Sequence, residues 1–320
     1  MFLYLTEEDV TRFLDVRECI DALEASFRDW GEGRASNRPR SRASLPGGLL
    51  HVLPAASDRL GRMAVKAYAT TRGGARFVVL LFDAATSDLL AMFEADRLGQ
   101  IRTGAASGLA TRLLSRPDSR VLGLIGSGWQ ARSQVQAIAC VRSLEAVHVY
   151  GRDRERLDRF CREMTETCGL PVTPAGSAAE AVGAADIVVT ATSSATPVLL
   201  GDWLAPGCHV NATGSNRPGS RELDRHAVQR ADRIVIDSIE QARLEAGDLL
   251  PEADAASDAG DDPLERAVEL AMVVAGRVPG RTDDRQITLF KSLGLGLEDL
   301  AAASLVYDRA VATGAGRPFP

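Results

Sequence analysis

The stretch that decides the fold is Val121-Leu122-Gly123-Leu124-Ile125-Gly126-Ser127-Gly128-Trp129-Gln130-Ala131. Its apolar first half predicts a short buried strand, and its second half predicts the start of a helix that continues to about Val141. In this Gly-x-Gly-x-x-Ala pattern, Gly126 permits a tight turn, Gly128 lets the backbone approach a pyrophosphate, and Ala131 allows close helix–strand packing. The helix N-terminus offers N–H groups to phosphate. We therefore predict dinucleotide contacts from Gly126, Ser127, Gly128, Gln130 and Ala131; the alternative is a glycine-rich turn with no ligand.

Strands and helices alternate on both sides of this motif. Further apolar strands are predicted at 146–150, 186–191, 208–212 and 233–237. This spacing is typical of parallel βαβ units, so we predict a doubly wound parallel sheet, a Rossmann domain, over residues 117–296. Residues 1–116 carry short strand-like runs, and residues 297–313 predict a long helix that packs back on them. The predicted fold class is α/β, with the Rossmann domain inserted into a discontinuous α+β domain of residues 1–116 and 297–320. Residues 251–263 predict an exposed loop.

Composition narrows the class of protein. The 320 residues carry a net charge of −6, with 45% hydrophobic and 25% charged residues, as in ordinary globular proteins. No clustered basic face favours a nucleic acid, and no apolar run approaches the roughly 20 residues of a membrane span. The five cysteines form no C-x-x-C pair, and no two of the four histidines are spaced i,i+4. We therefore expect a cytoplasmic enzyme without disulfides, metal, nucleic-acid partner or membrane partner.

The end of the second predicted Rossmann strand indicates which dinucleotide binds. NAD-preferring sites place an acidic residue there, but this chain reads Tyr150-Gly151-Arg152-Asp153-Arg154. Gly151 leaves room, and Arg152 can pair with a 2′-phosphate, so we expect NADPH, with NADH as the second choice. In the alternative, the arginines merely solvate a helix start and Asp153 caps it. Three threonines at or after other strand ends complete the predicted cofactor contacts: Thr190, Thr192 and Thr213.

Three cations occupy unusual places outside the predicted Rossmann domain. Lys66 lies within an apolar strand-like run, Arg102 lies at an Ala/Gly-rich helix start, and Arg40 follows Pro39. A buried cation is costly unless an anion pairs with it, and a substrate carboxylate would satisfy all three if they converge. In the alternative, the side chains extend their charged ends to water.

A polar loop follows the predicted strand at 208–212. Ligands of doubly wound sheets bind at the carboxyl ends of the strands, so Ser215 and Asn216 are placed to face a nicotinamide and a substrate. The same glycine, serine, asparagine and proline residues are typical of any surface loop.

Together, several segments resemble the ornithine cyclodeaminase/mu-crystallin family, in order and over nearly the whole chain. They are Pro39-Arg40, Leu53-Pro54-Ala55, Lys66, residues 101–106 (IRTGAA), the 126–131 motif, residues 211–214 (NATG) and residues 288–294 (TLFKSLG). The resemblance implies a Rossmann domain, a discontinuous dimerisation and substrate domain, and a homodimer. It also implies that Arg40, Lys66 and Arg102 hold an amino-acid or imino-acid carboxylate beside the nicotinamide.

Three departures from the cyclodeaminases of that family favour a different reaction. Asn216 stands where they carry a proton-transferring aspartate, His51 stands where they place an acid near the substrate, and the second strand ends in Gly151-Arg152. A carboxamide cannot act as a general base. We therefore expect an NADPH-dependent reductase of a cyclic imino acid, or the related interconversion of a 2-oxo acid and an amino acid.

In this hypothesis Arg40 and Arg102 bind the carboxylate, Lys66 protonates the imine nitrogen, His51 contacts the substrate and Asn216 orients it. Two alternatives stay open: a cyclodeaminase with bound NAD, and a mu-crystallin-like protein that binds NADPH and a small ligand with little turnover.

Overall fold

The computed structural model describes residues 1–251 and 262–320, so most of the predicted loop at 251–263 lies outside the described residues. The chain divides into two compact units. The first comprises Met1–Ala106 and Gly294–Pro320, and the second comprises Ser107–Leu293. The sequence placed these boundaries after residues 116 and 296. The earlier first boundary has a physical reason, because Thr111 bonds within the second unit: its hydroxyl accepts from Asn211 Nδ2 (3.0 Å) and its carbonyl from Arg142 (2.9 Å).

Long antiparallel strands dominate the N-terminal part of the first unit. The strands are β1 (Phe2–Leu5), β2 (Ala35–Asn37), β3 (Ser41–Leu45), β4 (Gly48–Ser57), β5 (Arg62–Thr71), β6 (Gly74–Asp83) and β7 (Leu89–Glu94). The helices are α1 (Glu7–Phe13), α2 (Val16–Gly31) and α3 (Asp96–Leu114), which continues into the second unit. Helix α2 begins where Asp15 accepts the Arg17 and Glu18 N–H groups, and it buries Ile20, Leu23 and Phe27 at helical spacing.

The second unit contains the predicted Rossmann sheet. Its strands are β8 (Val121–Ile125), β9 (Ala146–Tyr150), β10 (Val172–Pro174), β11 (Ile187–Thr190), β12 (His209–Ala212), β13 (Arg233–Ile236), β14 (Val268–Glu269) and β15 (Thr288–Lys291). Its helices are α4 (Trp129–Val141), α5 (Arg154–Cys168), α6 (Ala178–Gly183), α7 (Arg225–Arg230), α8 (Ile239–Glu245) and α9 (Leu270–Val274). In the described part of the chain the eight strands pair in parallel, in the order β10-β9-β8-β11-β12-β15-β13-β14. The predicted doubly wound parallel sheet is confirmed.

Both faces of this sheet are apolar, as a sheet covered on two sides requires. Alternate residues of one strand enter different cores: Ile187 and Val189 join one cluster, and Val188 joins the other. The register aligns the last residues of four strands, because Thr190 pairs with Ile125 and Ala212, and Ala212 pairs with Lys291. We call this row, Ile125-Thr190-Ala212-Lys291, the carboxyl edge of the sheet.

The chain returns to the first unit with α10 (Gly296–Thr313) and β16 (Arg317–Phe319). Helix α10 packs on α2, β4 and β5, and β16 pairs with β1 at the end of a sheet ordered β16-β1-β7-β6-β5-β4-β2, with β3 on β4. The return of the last helix makes this unit discontinuous in sequence. Within the described ranges, no helix combines the length and the apolar character that a membrane span requires.

Candidate functional site

The first unit brings together the three cations that the sequence singled out. Lys66 on β5, Arg102 on α3 and Arg40 before β3 have only 3%, 7% and 6% of their surface exposed. The alternative, in which their charged ends reach water, therefore does not describe the structure. Cations buried to this extent need anions close to them.

Two acidic residues in the first turn of α10 supply those anions. Asp299 Oδ1 lies 3.0 Å from Lys66 Nζ and accepts Arg102 Nε over 2.9 Å, and Glu298 Oε2 accepts Arg102 Nη1 over 2.9 Å. The Arg40 guanidinium donates to the Gly294 carbonyl over 3.2 Å. Sequence reasoning missed Glu298 and Asp299; the available signal was an acidic pair inside the apolar stretch that opens the last helix.

Gly294 combines a left-handed backbone conformation with a close approach to the Arg102 side chain. Its φ is +79°, and a Cβ there would lie 2.5 Å from Arg102 Nη1. Only glycine combines the left-handed backbone with that close approach. The turn therefore lets the guanidinium lie against the start of α10, where it reaches both carboxylates.

These charges set the protonation of the cluster. Burial, reinforced by Arg102, lowers the pKa of Lys66 to about 8, although Asp299 opposes the shift. Burial also acts to lower the pKa of Arg102, but Asp299 and Glu298 outweigh it and raise that pKa, so Arg102 stays charged. Lys66 can therefore lose its proton near neutral pH, whereas the adjacent Arg102 cannot.

His51 lies in the same unit, on β4 opposite Tyr68 of β5. Its ring stacks on Tyr68 with centroids 4.2 Å apart, Tyr68 stacks on Phe77 at 4.8 Å, and Lys66 Nζ lies 5.4 Å from the Phe77 centroid. His51 Nε2 also contacts Thr70 Oγ1 at 3.2 Å. The sequence predicted His51 in the substrate site and missed this aromatic row, which connects His51 to Lys66.

The glycine turn of the second unit has the geometry that a dinucleotide needs. Gly126 has φ +112°, and a Cβ there would collide with the Ala191 carbonyl, so the tight turn requires glycine. Gly128 precedes the first residue of α4, no side chain caps that end, and space is open where its Cβ would be. Uncapped N–H groups at a helix start suit phosphate. Ser127 and Gln130 flank this turn, and Ala131 is fully buried beneath it.

The predicted 2′-phosphate site also has a consistent arrangement. A Cβ at Gly151 would lie 2.7 Å from Ser127 Oγ, so the two turns pack directly together. Asp153 caps α5 by accepting the Arg156 N–H, and Arg154 pairs with Asp158. Arg152 is exposed and makes no ion pair with any residue in the described ranges. Arg154 and Arg156 each pair with an aspartate, and Arg152 is the one of the three without an ion pair within the described ranges.

The three predicted threonines lie at the carboxyl edge (Thr190) or in the loops that follow it (Thr192 and Thr213), and their environments differ. Thr190 is fully buried and donates its hydroxyl to Glu222 Oε2 over 2.9 Å. Thr192 donates both its N–H (2.6 Å) and its hydroxyl (2.7 Å) to Glu222 Oε1. Thr213 donates to the Thr190 carbonyl, and the half-buried Asn216 follows in the same loop. The sequence missed Glu222, which joins these segments.

A second buried lysine lies at the same edge. Lys291 is fully buried, and its Nζ lies 2.7 Å from Asp248 Oδ2. The sequence contains just two lysines, Lys66 and Lys291, among its 37 lysines and arginines. That scarcity was the signal that could have drawn attention to Lys291 as well. Among the described residues, no group of His, Cys, Asp and Glu side chains could hold a metal ion.

The parallel sheet and its open glycine turn define an α/β protein of the dinucleotide-binding Rossmann type. A sequence profile of the ornithine cyclodeaminase/mu-crystallin family matches residues 2–314, and the chain belongs to that family. This confirms the resemblance that the motifs indicated.

Three similar proteins indicate which members of the family this chain resembles. A Delta(1)-pyrroline-2-carboxylate reductase of Bacillus cereus is 39% identical over 240 residues, 75% of this chain and 72% of that protein. The ketimine reductase mu-crystallin of Mus musculus is 37% identical over 268 residues, 82% of this chain and 80% of that protein. The structure of Thermococcus litoralis Delta(1)-pyrroline-2-carboxylate reductase with NADH and L-proline is 33% identical. It superposes with a TM-score of 0.94, covering 99% of this chain and 100% of that one.

Proposed function

We propose that this protein is an NAD(P)H-dependent oxidoreductase that reduces a cyclic imino acid of the pyrroline- or piperideine-2-carboxylate kind. The observation that carries the proposal is the buried cluster of Arg40, Lys66 and Arg102, in which Lys66 can exchange a proton near neutral pH. The similar Bacillus and Thermococcus proteins are named for reduction of such an imino acid, and the mouse protein is named for ketimine reduction.

The cations of the cluster support a substrate that carries a carboxylate. Lys66 and Arg102 pair with the carboxylates of Glu298 and Asp299, and Arg40 lies close enough to act on the Lys66 ammonium. A substrate carboxylate would add a further anion to these buried cations, in a site where charges need counter-charges close by. Arg102 already donates from Nε and Nη1, but a guanidinium has five N–H donors and suits a carboxylate with those that remain. Arg40 would be the second carboxylate ligand.

Reduction adds a hydride to the carbon of the C=N bond and a proton to its nitrogen. Bound NAD(P)H supplies the hydride. The Lys66 ammonium would supply the proton, leaving a neutral amine that is protonated again from solvent. A group with a pKa of about 8 is largely protonated at pH 7 and still gives up a proton readily. Asp299, 3.0 Å away, would hold the ammonium in place.

The residues present fit a dinucleotide, which the second unit would hold. Gly126, Ser127, Gly128, Gln130 and Ala131 would form the turn around the pyrophosphate, because α4 begins there without a cap. We propose that NADPH is preferred over NADH, since Arg152 is an exposed arginine without an ion-pair partner in the described ranges. Gly151 would leave the space for the 2′-phosphate.

His51 and Asn216 would complete the site without doing proton chemistry. We propose that the His51 ring, fixed by stacking on Tyr68, bounds the substrate on one side. Asn216 would orient the substrate nitrogen or a water by hydrogen bonding, since its carboxamide cannot accept a proton as a base does. Because Asn216 cannot act as a base, we do not propose ornithine cyclisation. A ligand-binding protein with little turnover would not need a lysine with a lowered pKa.

We also propose a homodimer formed through the first unit. Leu45, Leu50 and Met63, on neighbouring strands β3, β4 and β5, are 79%, 47% and 37% exposed, and a second copy would cover them.

We propose that the protein is located in the cytoplasm. All five cysteines are free thiols, which fits a reducing compartment.

The experiment is a cofactor-oxidation assay with purified protein. Delta(1)-pyrroline-2-carboxylate and Delta(1)-piperideine-2-carboxylate are offered with NADPH and, separately, with NADH, and absorbance at the nicotinamide band is followed. Pyruvate with ammonia is the parallel arm for a 2-oxo acid, and ornithine with NAD⁺ is the arm for cyclisation. The proposal expects fastest oxidation with a cyclic imino acid and NADPH. Proline formation from ornithine without net cofactor oxidation would overturn it, as would cofactor binding with no turnover in any arm.

A further inference from the structure

Glu222 is a buried carboxylate that the proposed reaction does not use. Its side chain has no exposed surface. Its Oε2 accepts the Thr190 hydroxyl (2.9 Å) and the Gly214 N–H (2.7 Å). Its Oε1 accepts the Thr192 N–H (2.6 Å) and the Thr192 hydroxyl (2.7 Å). One side chain therefore joins the segments that follow β11 and β12.

A second carboxylate and a lysine hold Glu222 in place. Asp248 Oδ1 accepts the backbone N–H groups of Glu222 (2.5 Å) and Leu223 (3.1 Å), and Asp248 Oδ2 pairs with Lys291. Lys291 Nζ in turn donates to the Ser215 carbonyl over 2.5 Å. Ser215 directly follows Gly214, so the contacts return to the loop from which they started. We call Glu222, Asp248 and Lys291 the carboxylate network.

Stability alone gives no strong reason for such a network. Burial raises the pKa of Glu222, and Lys291 and the Thr192 hydrogen bonds oppose that rise. Buried ionic groups of this kind are often replaceable by apolar side chains without loss of stability. What an apolar replacement cannot do is bind the N–H groups of Thr192 and Gly214. Those two groups belong to the loops at the carboxyl edge of the sheet, where doubly wound folds bind their ligands.

We propose that Glu222 is a positioning residue for the dinucleotide: through the carboxylate network it fixes the loops after β11 and β12, which carry Thr192, Thr213 and Asn216, in the shape that binds the cofactor. Thr190, with its hydroxyl given to Glu222, then acts by supporting Glu222. This inference rests on the cofactor of the proposed function and is independent of the substrate.

The opposite edge of the same sheet offers a matched control. Asp186 precedes β11, pairs with Arg116 (2.6 Å), and accepts the backbone N–H groups of Arg120 (2.8 Å) and Val121 (3.0 Å). It resembles Glu222 in accepting two backbone N–H groups, and it also pairs with an arginine. It differs in serving the amino ends of β8 and β11, where a dinucleotide does not bind.

The test compares Glu222→Gln with Asp186→Asn. A glutamine amide has one oxygen, so either the Thr192 or the Gly214 N–H would face an NH₂ group and lose its acceptor. We measure NADPH dissociation constants by fluorescence titration and unfolding midpoints by thermal denaturation for both variants. Both are expected to lower the midpoint. Glu222→Gln is expected to weaken NADPH binding about tenfold or more, whereas Asp186→Asn should leave it within about twofold of the starting protein.

The inference is overturned if Glu222→Gln lowers the unfolding midpoint but binds NADPH as tightly as the unchanged protein. Glu222 would then stabilise the fold without positioning the cofactor. If Glu222→Gln does not fold, Thr190→Val removes one hydroxyl from the same carboxylate and keeps the shape of the side chain. It should weaken NADPH binding by a smaller factor, and unaltered binding would also count against the proposal. Failure of the unchanged protein to bind any dinucleotide would instead contradict the proposed function, and is recognised before any variant is made.

Discussion

The two lysines of this protein occupy similar pairs in different surroundings. Lys66 in the first unit and Lys291 in the second are both buried, and each lies within 3.0 Å of an aspartate oxygen. Asp299 shares that oxygen between Lys66 and Arg102, so the first pair lies among further cations. Lys291 instead donates to a backbone carbonyl, and its partner Asp248 accepts two backbone N–H groups.

This difference shows how one residue pair can serve two purposes. An ammonium among other cations is destabilised in its charged form and is suited to give up a proton. An ammonium that binds a carboxylate and a carbonyl, with that carboxylate bound to the backbone, fixes the positions of chain segments. Every other basic side chain except the histidines is an arginine, which does not lose its proton in proteins. We infer that proton transfer belongs to Lys66 and loop positioning to Lys291.

The largest effect is expected at Lys66. Replacing it by methionine keeps the aliphatic stem and removes the proton donor, so kcat for imine reduction should fall by about 10²–10⁴-fold. NADPH affinity should not change, because the cofactor-binding residues are separate from this cluster in the chain. Steady-state kinetics and a binding titration check both parts. A variant that keeps at least a tenth of the activity would rule out Lys66 as the acid.

Lys291→Met should lower the stability of the protein more than Lys66→Met does. It leaves the Asp248 carboxylate buried without its cation, which costs about 3–5 kcal/mol of unfolding free energy. Lys66→Met should cost less, since Asp299 keeps its bond to Arg102. Urea denaturation of both variants measures the difference. Lys291→Met with Asp248→Asn should recover part of the loss, and equal stability of the two single variants would contradict the distinction.

Arg152 tests the cofactor preference within the second unit. Arg152→Ala should weaken NADPH binding about tenfold or more, because a hydrogen bond to a charged group contributes roughly 1.5–3 kcal/mol. NADH binding should be unaffected. Arg154→Ala is the matched control, since Arg154 already pairs with Asp158. Equal losses for NADPH in the two variants would show that general positive charge, and not Arg152 itself, attracts the phosphate.

The smallest and most specific effect concerns pH. Below a pH of about 8 Lys66 is protonated, and in the proposed reaction it gives this proton to the imine nitrogen; above that pH the amine is neutral. The kcat for reduction should therefore fall as the pH rises through about 8, and the kcat for amino-acid oxidation should rise over the same range. The pH dependence of both directions, measured at saturating cofactor, checks the sign. A reduction rate that stays constant up to a pH of about 10, near the ordinary lysine pKa, would exclude this assignment.

Local pattern predicted some of these features and not others. The turn at 126–131 and the alternating strands around it are confirmed, because their signals lie within short windows of sequence. The partnership of Lys66 with Asp299 could not be predicted in this way, since 233 residues separate them. Strand β15 was missed for a related reason: it has four residues and ends in a lysine, so it looks unlike a central strand. The contact of Thr190 with the cofactor stays a prediction, and Glu222, which accepts the Thr190 hydroxyl, could not be predicted because it lies 32 residues further on.

We infer that the buried cations around Lys66 prepare this side chain to transfer a proton. The pKa of Lys66 can be measured without turnover, because lysine labelled with ¹³C at Cε will give just two signals in this protein. The signal that is lost in Lys66→Met should titrate with a pKa of about 8. In Asp299→Asn that pKa should move lower, since Asp299 is the neighbour that raises it. If the Lys66 signal titrates near the ordinary lysine value of about 10.4, and if Asp299→Asn does not change that pKa, Lys66 is not prepared for proton transfer.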